Sequence, residues 1–233
     1  MKKFSNRYIF VFSAFMVILV ATLLSLAATL LQPRQMRNLE SEKKKGMLES
    51  IGISSTPETA ESLFGKYIKD SYVLNIKGEK VEGVKAFDVV LKDEQKKPLE
   101  AQSLPVFTAV LEDGEKVIII PVEGKGLWGP IYGYVSIKSD MNTIFGVIFD
   151  HKGETPGLGA EINTPAFESM FAGQKLFEND KFVSIGVVKG KAHPDDLHNV
   201  DGISGGTITS KGLEAMLKDC LLKYEDYFNT NRN

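Results

Sequence analysis

Val106-Phe107-Thr108-Ala109-Val110-Leu111, then Glu112-Asp113-Gly114-Glu115, then Lys116-Val117-Ile118-Ile119-Ile120-Pro121-Val122 is the stretch on which the fold turns. Both flanks are rich in β-branched and aromatic residues and read as strands. The four residues between them form turns readily, so the flanks fold back on each other as a hairpin. Outward from this pair the pattern recurs. Residues 72–76 and 81–91 before it, and 131–137 and 143–150 after it, are strand-like runs bounded by Gly, Asp, Asn or Pro. Strands that arrive in a run, without helices alternating between them, predict an α+β fold with a mostly antiparallel sheet.

Helices are expected on either side of that run. Thr56-Pro57-Glu58 places a hydroxyl cap before a first-turn proline. Ala60, Leu63, Phe64, Tyr67 and Ile68 then follow at amphipathic spacing. Asn163-Thr164-Pro165 opens a second helix that runs to about residue 174. A last strand is expected at 182–188 and a polar loop at 193–202. The closing helix spans about 210–228, with Leu213, Met216, Leu217, Cys220, Leu221 and Tyr224 on one face. No internal repeat or low-complexity segment is present.

Residues 8–33 carry no charge, and 8–31 are dominated by Ile, Val, Phe, Leu and Ala. That length spans the roughly 30 Å of membrane hydrocarbon as a helix. A cleaved signal peptide is the rival reading, with Lys2, Lys3 and Arg7 as its basic start and Ser25-Leu26-Ala27 as a small-x-small site. The apolar run outlasts a signal core and continues past that site, which favours an anchor. Basic residues stand on both sides, with Arg34, Arg37 and Lys43–Lys45 beyond the run, so counting them does not decide the orientation. A short tail before a single first helix ordinarily stays inside, which puts the folded part outside the cytoplasmic membrane. The chain thus divides into a tail and anchor (1–33), a juxtamembrane linker or helix (34–55) and one extracytoplasmic domain (56–233).

The 233 residues have a net charge of −2 and ordinary hydrophobic content, enough for one cored domain after the anchor. The near-neutral balance argues against nucleic acid as a partner. Cys220 is the sole cysteine, so an intrachain disulfide and an iron–sulfur cluster held by this chain alone are both excluded.

Several stretches could carry chemistry. Gly202-Ile203-Ser204-Gly205-Gly206 matches the nucleophile-elbow pattern G-x-S-x-G, but a polar loop precedes it and His151, His193 and His198 all come before Ser204. His193, Asp195, Asp196 and His198 cluster in the manner of metal ligands, but Pro194 breaks their spacing, and a solvated loop is the preferred reading. Glu154-Thr155-Pro156-Gly157-Leu158-Gly159 lacks the third glycine of a dinucleotide loop. It is read either as a turn or as a surface meeting the edge of a flat ligand. Trp128, in Gly124-Lys125-Gly126-Leu127-Trp128-Gly129, is either a structural plug or a ring that stacks on such a ligand. Finally, Asp201-Gly202-Ile203-Ser204-Gly205-Gly206-Thr207-Ile208-Thr209-Ser210 stands directly before a helix, where unpaired N–H groups and the positive dipole end receive phosphate. On these residues alone, a hydroxyl-rich helix cap is the preferred reading.

Asp201-x-x-Ser204-Gly205-Gly206-Thr207 resembles the flavinylation signature D-x-x-[S/T]-G-A-[T/S]. Together with the anchor, the 126–128 loop and the 154–159 loop, it resembles NqrC, the C subunit of the sodium-translocating NADH:quinone oxidoreductase (Nqr), in the covalent FMN-binding domain family. The resemblance covers nearly the whole chain. Position 206 departs from the pattern, being Gly where Ala is usual. The resemblance implies an electron-transfer subunit with FMN esterified to Thr207 by a flavin transferase, and Thr209 as the competing hydroxyl. It implies that Asp201 shapes the loop or its recognition, that Ser204, Gly205 and Gly206 form the phosphate loop, and that Trp128, Glu154, Thr155, Gly157, Leu158 and Gly159 flank the ring. It implies no catalytic acid or base, no oxidation of NADH by this chain alone, and as partners the A, B, D, E and F subunits of Nqr together with membrane lipid. The related RnfG protein of the Rnf complex and a non-redox membrane-anchored binding module are the alternatives.

Overall fold

The computed structural model describes residues 5–232. Lys2 and Lys3 lie outside them. The described residues fall into two compact units that divide between Lys43 and Lys44.

The first unit holds most of α1 (Asn6–Ser50), a 45-residue helix that keeps Pro33 inside it. Residues 5–40 are exposed throughout. This helix is long and apolar enough to cross a membrane. Within the apolar run, Thr22 Oγ1 donates to the Ile18 carbonyl at 2.8 Å and Thr29 Oγ1 to that of Ser25 at 2.9 Å. These bonds satisfy both hydroxyls inside the helix, as a hydrocarbon surrounding demands.

The second unit is built on one six-stranded antiparallel sheet. In chain order the elements are α2 (Ala60–Tyr67), β1 (Ile68–Leu74), β2 (Lys80–Val81), α3 (Leu91–Glu94), β3 (Leu104–Val110), β4 (Lys116–Lys125), β5 (Pro130–Lys138) and β6 (Ile144–His151). After them come α4 (Pro165–Glu168), β7 (Phe177–Glu178), β8 (Lys181–Phe182), β9 (Gly186–Val188), β10 (Asn199–Asp201), α5 (Thr207–Leu221) and α6 (Glu225–Asn231). The sheet order is β2-β1-β3-β4-β5-β6. The expected hairpin joins β3 to β4, with Val110 opposite Lys116 and the Gly114 N–H closing the turn on the Leu111 carbonyl.

Alternation along the strands divides two cores. Ile118, Ile120 and Val122 of β4, with Ile131, Val135 and Ile137 of β5, meet Leu213, Met216, Leu217 and Leu221 of α5. Val117 and Ile119 face the other way, with Phe107 and Ala109, onto Met47, Leu48 and Ile51 at the end of α1. The sheet is therefore covered on both faces, and α5 lies across the face that carries the candidate site.

Five expectations are corrected. Residues 81–91 are a strand only at Val81; a 3-10 turn at Ala86–Asp88 and α3 replace the rest, and Val84 and Val90 are exposed. Gly83, at φ +81°, turns the chain off the sheet edge. The run 182–188 breaks at Ser184, whose φ of +62° interrupts the extended backbone. The polar loop 193–202 contains β10, which pairs in parallel with β9. The helix expected over 165–174 shortens to α4 and a 3-10 turn at Ser169–Phe171, and the closing helix begins at Thr207, three residues early.

Candidate functional site

The site is assembled where β10 hands over to α5. Asp201 Oδ1 accepts the Ala192 N–H at 2.8 Å, which holds the preceding loop against the strand. Gly205 has a φ of +73°, the left-handed region that favours glycine. Gly206 has an ordinary φ of −100° and serves as N-cap of α5 without a side-chain bond. The φ angle thus admits alanine at 206, where the signature usually has it, provided that the Ile203 side chain and, slightly, the Leu158 backbone yield. The Ser210 N–H donates to the Gly206 carbonyl at 2.8 Å, and the Ile203 N–H to Ser210 Oγ at 3.3 Å. The N–H groups of the first helical turn therefore open beside Thr207.

Thr207 and Thr209 sit two positions apart on a helix, about 200° around its axis. Thr207 and Ile208 are exposed, whereas Thr209 is 2% exposed. The Thr209 hydroxyl donates to Glu154 Oε2 at 2.6 Å. Glu154, itself 4% exposed, also accepts the Trp128 N–H at Oε1, at 2.8 Å. Its own N–H donates to His151 Nδ1 at 3.2 Å. Burial pushes the Glu154 carboxyl up, but the Thr209 hydroxyl, the Trp128 and Gly129 amides and nearby His151 outweigh it and hold the group below the usual carboxylate range. Gly126 and Gly159 make room for this carboxylate. A Cβ at Gly126 would meet Glu154 Oε1, and one at Gly159 would meet both Glu154 Oε2 and the Thr209 hydroxyl.

The 154–159 loop is held by its own bonds. The Thr155 carbonyl accepts from Leu158 and Ala160, and the Gly157 N–H donates to Glu161 Oε1 at 3.0 Å. Leu158 packs beside Gly205 and Gly206. Thr155 and Gly157 are exposed. The fold thus brings Glu154, Gly159, Thr209 and the Trp128 backbone into one cluster, and Leu158, Gly205 and Gly206 into another beside it. Ser204, Gly205 and Thr207 line a hollow of about 260 Å³ with Val188, Lys189 and Lys211. Asp201 is turned instead to the 190–192 loop.

Sequence reasoning did not single out Ile208, Lys189 or Lys211. Ile208 is 59% exposed, and the Trp128 ring is 69% exposed, with Leu127 and Leu158 also open. The signal for Ile208 was present: it lies off the stripe of Leu213, Met216 and Leu217. Among the described residues no group of three or more His, Cys, Asp or Glu is placed to hold an ion, and His193, Asp195, Asp196 and His198 do not converge into one. Asp196 accepts from the His198 N–H and Asn199 Nδ2, and His198 Nδ1 meets the Lys175 carbonyl, so both side chains fold their own loop.

A family described as FMN-binding domain matches residues 126–222, which start at the Trp128 loop and end just past α5. The chain is 34% identical to the C subunit of the Na(+)-translocating NADH-quinone reductase of Haemophilus ducreyi over 221 residues, 87% of this chain and 86% of that protein. It is 34% identical to the same subunit of Vibrio vulnificus over 207 residues, 82% of this chain and 81% of that protein. The crystal structure of that subunit from Parabacteroides distasonis superimposes with a TM-score of 0.79 at 41% identity, covering 87% of this chain and 98% of that one. The structure of Shewanella oneidensis NqrC gives 0.68 at 29%, covering 82% and 96%. Likeness of this extent in both sequence and fold, including every segment that builds the α5 turn, leads to one conclusion: the chain belongs to the NqrC family, the C subunits of the Na(+)-translocating NADH-quinone reductase.

Proposed function

We propose that this chain is an electron-transfer subunit of a sodium-translocating NADH:quinone reductase, carrying FMN as a phosphoester on Thr207. In this reading residues 8–31 anchor it in the cytoplasmic membrane, and the domain stands on the extracytoplasmic side among the other Nqr subunits. The one observation that carries the assignment is the contrast between two hydroxyls on one helical turn. Thr207 is open to solvent at the first position of α5, while Thr209 is buried and bonded to Glu154.

The residues present fit the group. First-turn N–H groups and the dipole end of a 15-residue helix stabilise phosphate charge beside Thr207. Lys189 adds positive charge along the hollow that Thr207 lines, and Lys211 lines it too while paired with Glu214. Exposed Trp128, Leu127, Leu158 and Ile208 offer apolar surface to a flat ring and keep water from it. FMN, when bound, supplies reversible electron transfer, and the protein tethers and orients it. The ester keeps the group on a domain outside the cytoplasm, where a dissociated cofactor is lost.

The relatives named above support the Nqr setting over the Rnf one. The test is co-expression of the full chain with a flavin transferase, followed by denaturing electrophoresis. The wild-type band should fluoresce as flavin, and T207A should be dark. A fluorescent T207A band would move the tether elsewhere. A dark wild-type band would leave the non-redox binding module as the better account.

A further inference from the structure

The sequence placed Glu154 at the flank of the ring, but its geometry assigns it different work. Both carboxylate oxygens are turned into the protein: Oε1 to the Trp128 amide and Oε2 to the Thr209 hydroxyl. The carboxylate is buried, and the glycines at 126 and 159 leave it no slack. It links the 126–129 loop, the 154–159 loop and the first turn of α5. The Thr209 hydroxyl proton is committed to that link, and a neutral hydroxyl donating to a buried carboxylate makes a strong, short bond. Thr207 has no such engagement and faces out.

We propose that Glu154 is a positioning residue that selects the modified hydroxyl, locking Thr209 inward so that Thr207 is the only acceptor this turn presents. The inference rests on the proposed ester. In that transfer the Thr207 Oγ1–P bond forms and a phosphoanhydride bond of an activated flavin donor breaks. The hydroxyl proton leaves to a base of the transferase, and the other half of the anhydride departs as a phosphate monoester. Thr209 cannot enter this step while its oxygen is buried at the junction that Glu154 holds together.

The experiment uses the full chain co-expressed with a flavin transferase, with peptide mass spectrometry locating the flavin. Wild type should carry the label on Thr207 alone, and T207A should carry none. Glutamine could keep the Thr209 bond through its carbonyl oxygen, so the deciding variant is E154A, which removes both acceptors and frees the Thr209 side chain from the junction. T207A/E154A should therefore show the label shifted to Thr209. A folded T207A/E154A chain without label, or T207A alone labelled on Thr209, would overturn the proposal. An unlabelled wild-type chain would instead sink the ester itself, so the two failures are distinguishable. Should E154A fail to fold, the wild-type protein still decides. The Thr209 hydroxyl proton should appear in NMR spectra as a slowly exchanging resonance, and rapid exchange with solvent would refute the lock.

Discussion

At the scale of single residues, buried Glu154 and half-buried Glu168 carry opposite electrostatic consequences. Glu154 is held ionised by three donors. Glu168 of α4 is raised to about 7, first by burial and then by Glu49 and Asp150, although the Phe149 N–H donating to its Oε1 opposes this. In the unfolded chain its value is 4.5. Between those values the folded state binds more protons, so stability falls as pH rises from 4.5 to about 7. Glutamine keeps the carbonyl oxygen that accepts from Phe149 and removes the charge. E168Q should therefore be more stable than wild type at pH 8 by about 1 kcal/mol, a figure discounted for the partial exposure of the group, and no more stable at pH 4. Urea midpoints at the two pH values check this; an equal gain at both would put the effect in packing. The sequence singled out Thr207 as the proposed attachment point through its motif. It did not show that Glu154 bonds Thr209, because 55 residues separate them and nothing local in either segment marks the other as a partner.

At the scale of elements, legibility follows how local the cause is. Strands β3 to β6 were readable because each combines β-branched residues with a bounding turn. The run 81–91 misled because it is apolar without a sheet neighbour to pair with once Val81 has been used. The three-residue β10 was hidden because its pairing is with β9, in parallel and across a loop, and nothing in Asn199-Val200-Asp201 declares it. The junction of the 154–159 loop with α5 was half visible: its glycines announced a tight turn, but not what the tightness accommodates. At Gly159 the space belongs to Glu154 and Thr209. A methyl there must displace both or push the loop off the helix, so G159A should cost about 3 kcal/mol, at the upper end of ordinary overpacking. It should also reduce the proposed flavinylation of Thr207, since the turn that presents that residue is anchored through the junction. Denaturation midpoints measure the first effect; a loss below about 0.5 kcal/mol would mean that the junction relaxes freely.

At the scale of the whole molecule, the end of α1 belongs energetically to the domain. The charge run Lys43–Lys45, followed by Gly46 and Ser50, reads as a polar juxtamembrane helix or linker, and that composition conceals the apolar residues between. In the fold, Met47, Leu48 and Ile51 are buried against Phe107, Val117 and Ile119. Ser50 Oγ meets Ser136 Oγ of β5 at 2.7 Å, Gly46 lies against the Tyr134 ring, and Lys44 pairs with Glu61 of α2. Burying three such side chains stabilises the fold by about 5–8 kcal/mol. That is comparable with the entire margin of an ordinary domain, about 5–15 kcal/mol. Two truncations separate the anchor from this docking segment. A chain beginning at residue 41 loses the exposed apolar helix and keeps every contact of the second core; it should be soluble without detergent and unfold cooperatively. A chain beginning at residue 54 exposes the Phe107–Ile119 face and orphans the Ser136 hydroxyl. It should aggregate or lose its cooperative thermal transition, even though every residue of the α5 site is retained. Circular dichroism melts of the two chains decide the point. If the shorter one melts within a few degrees of the longer, the last turns of α1 are a tether only, and the sheet is held from its other face alone.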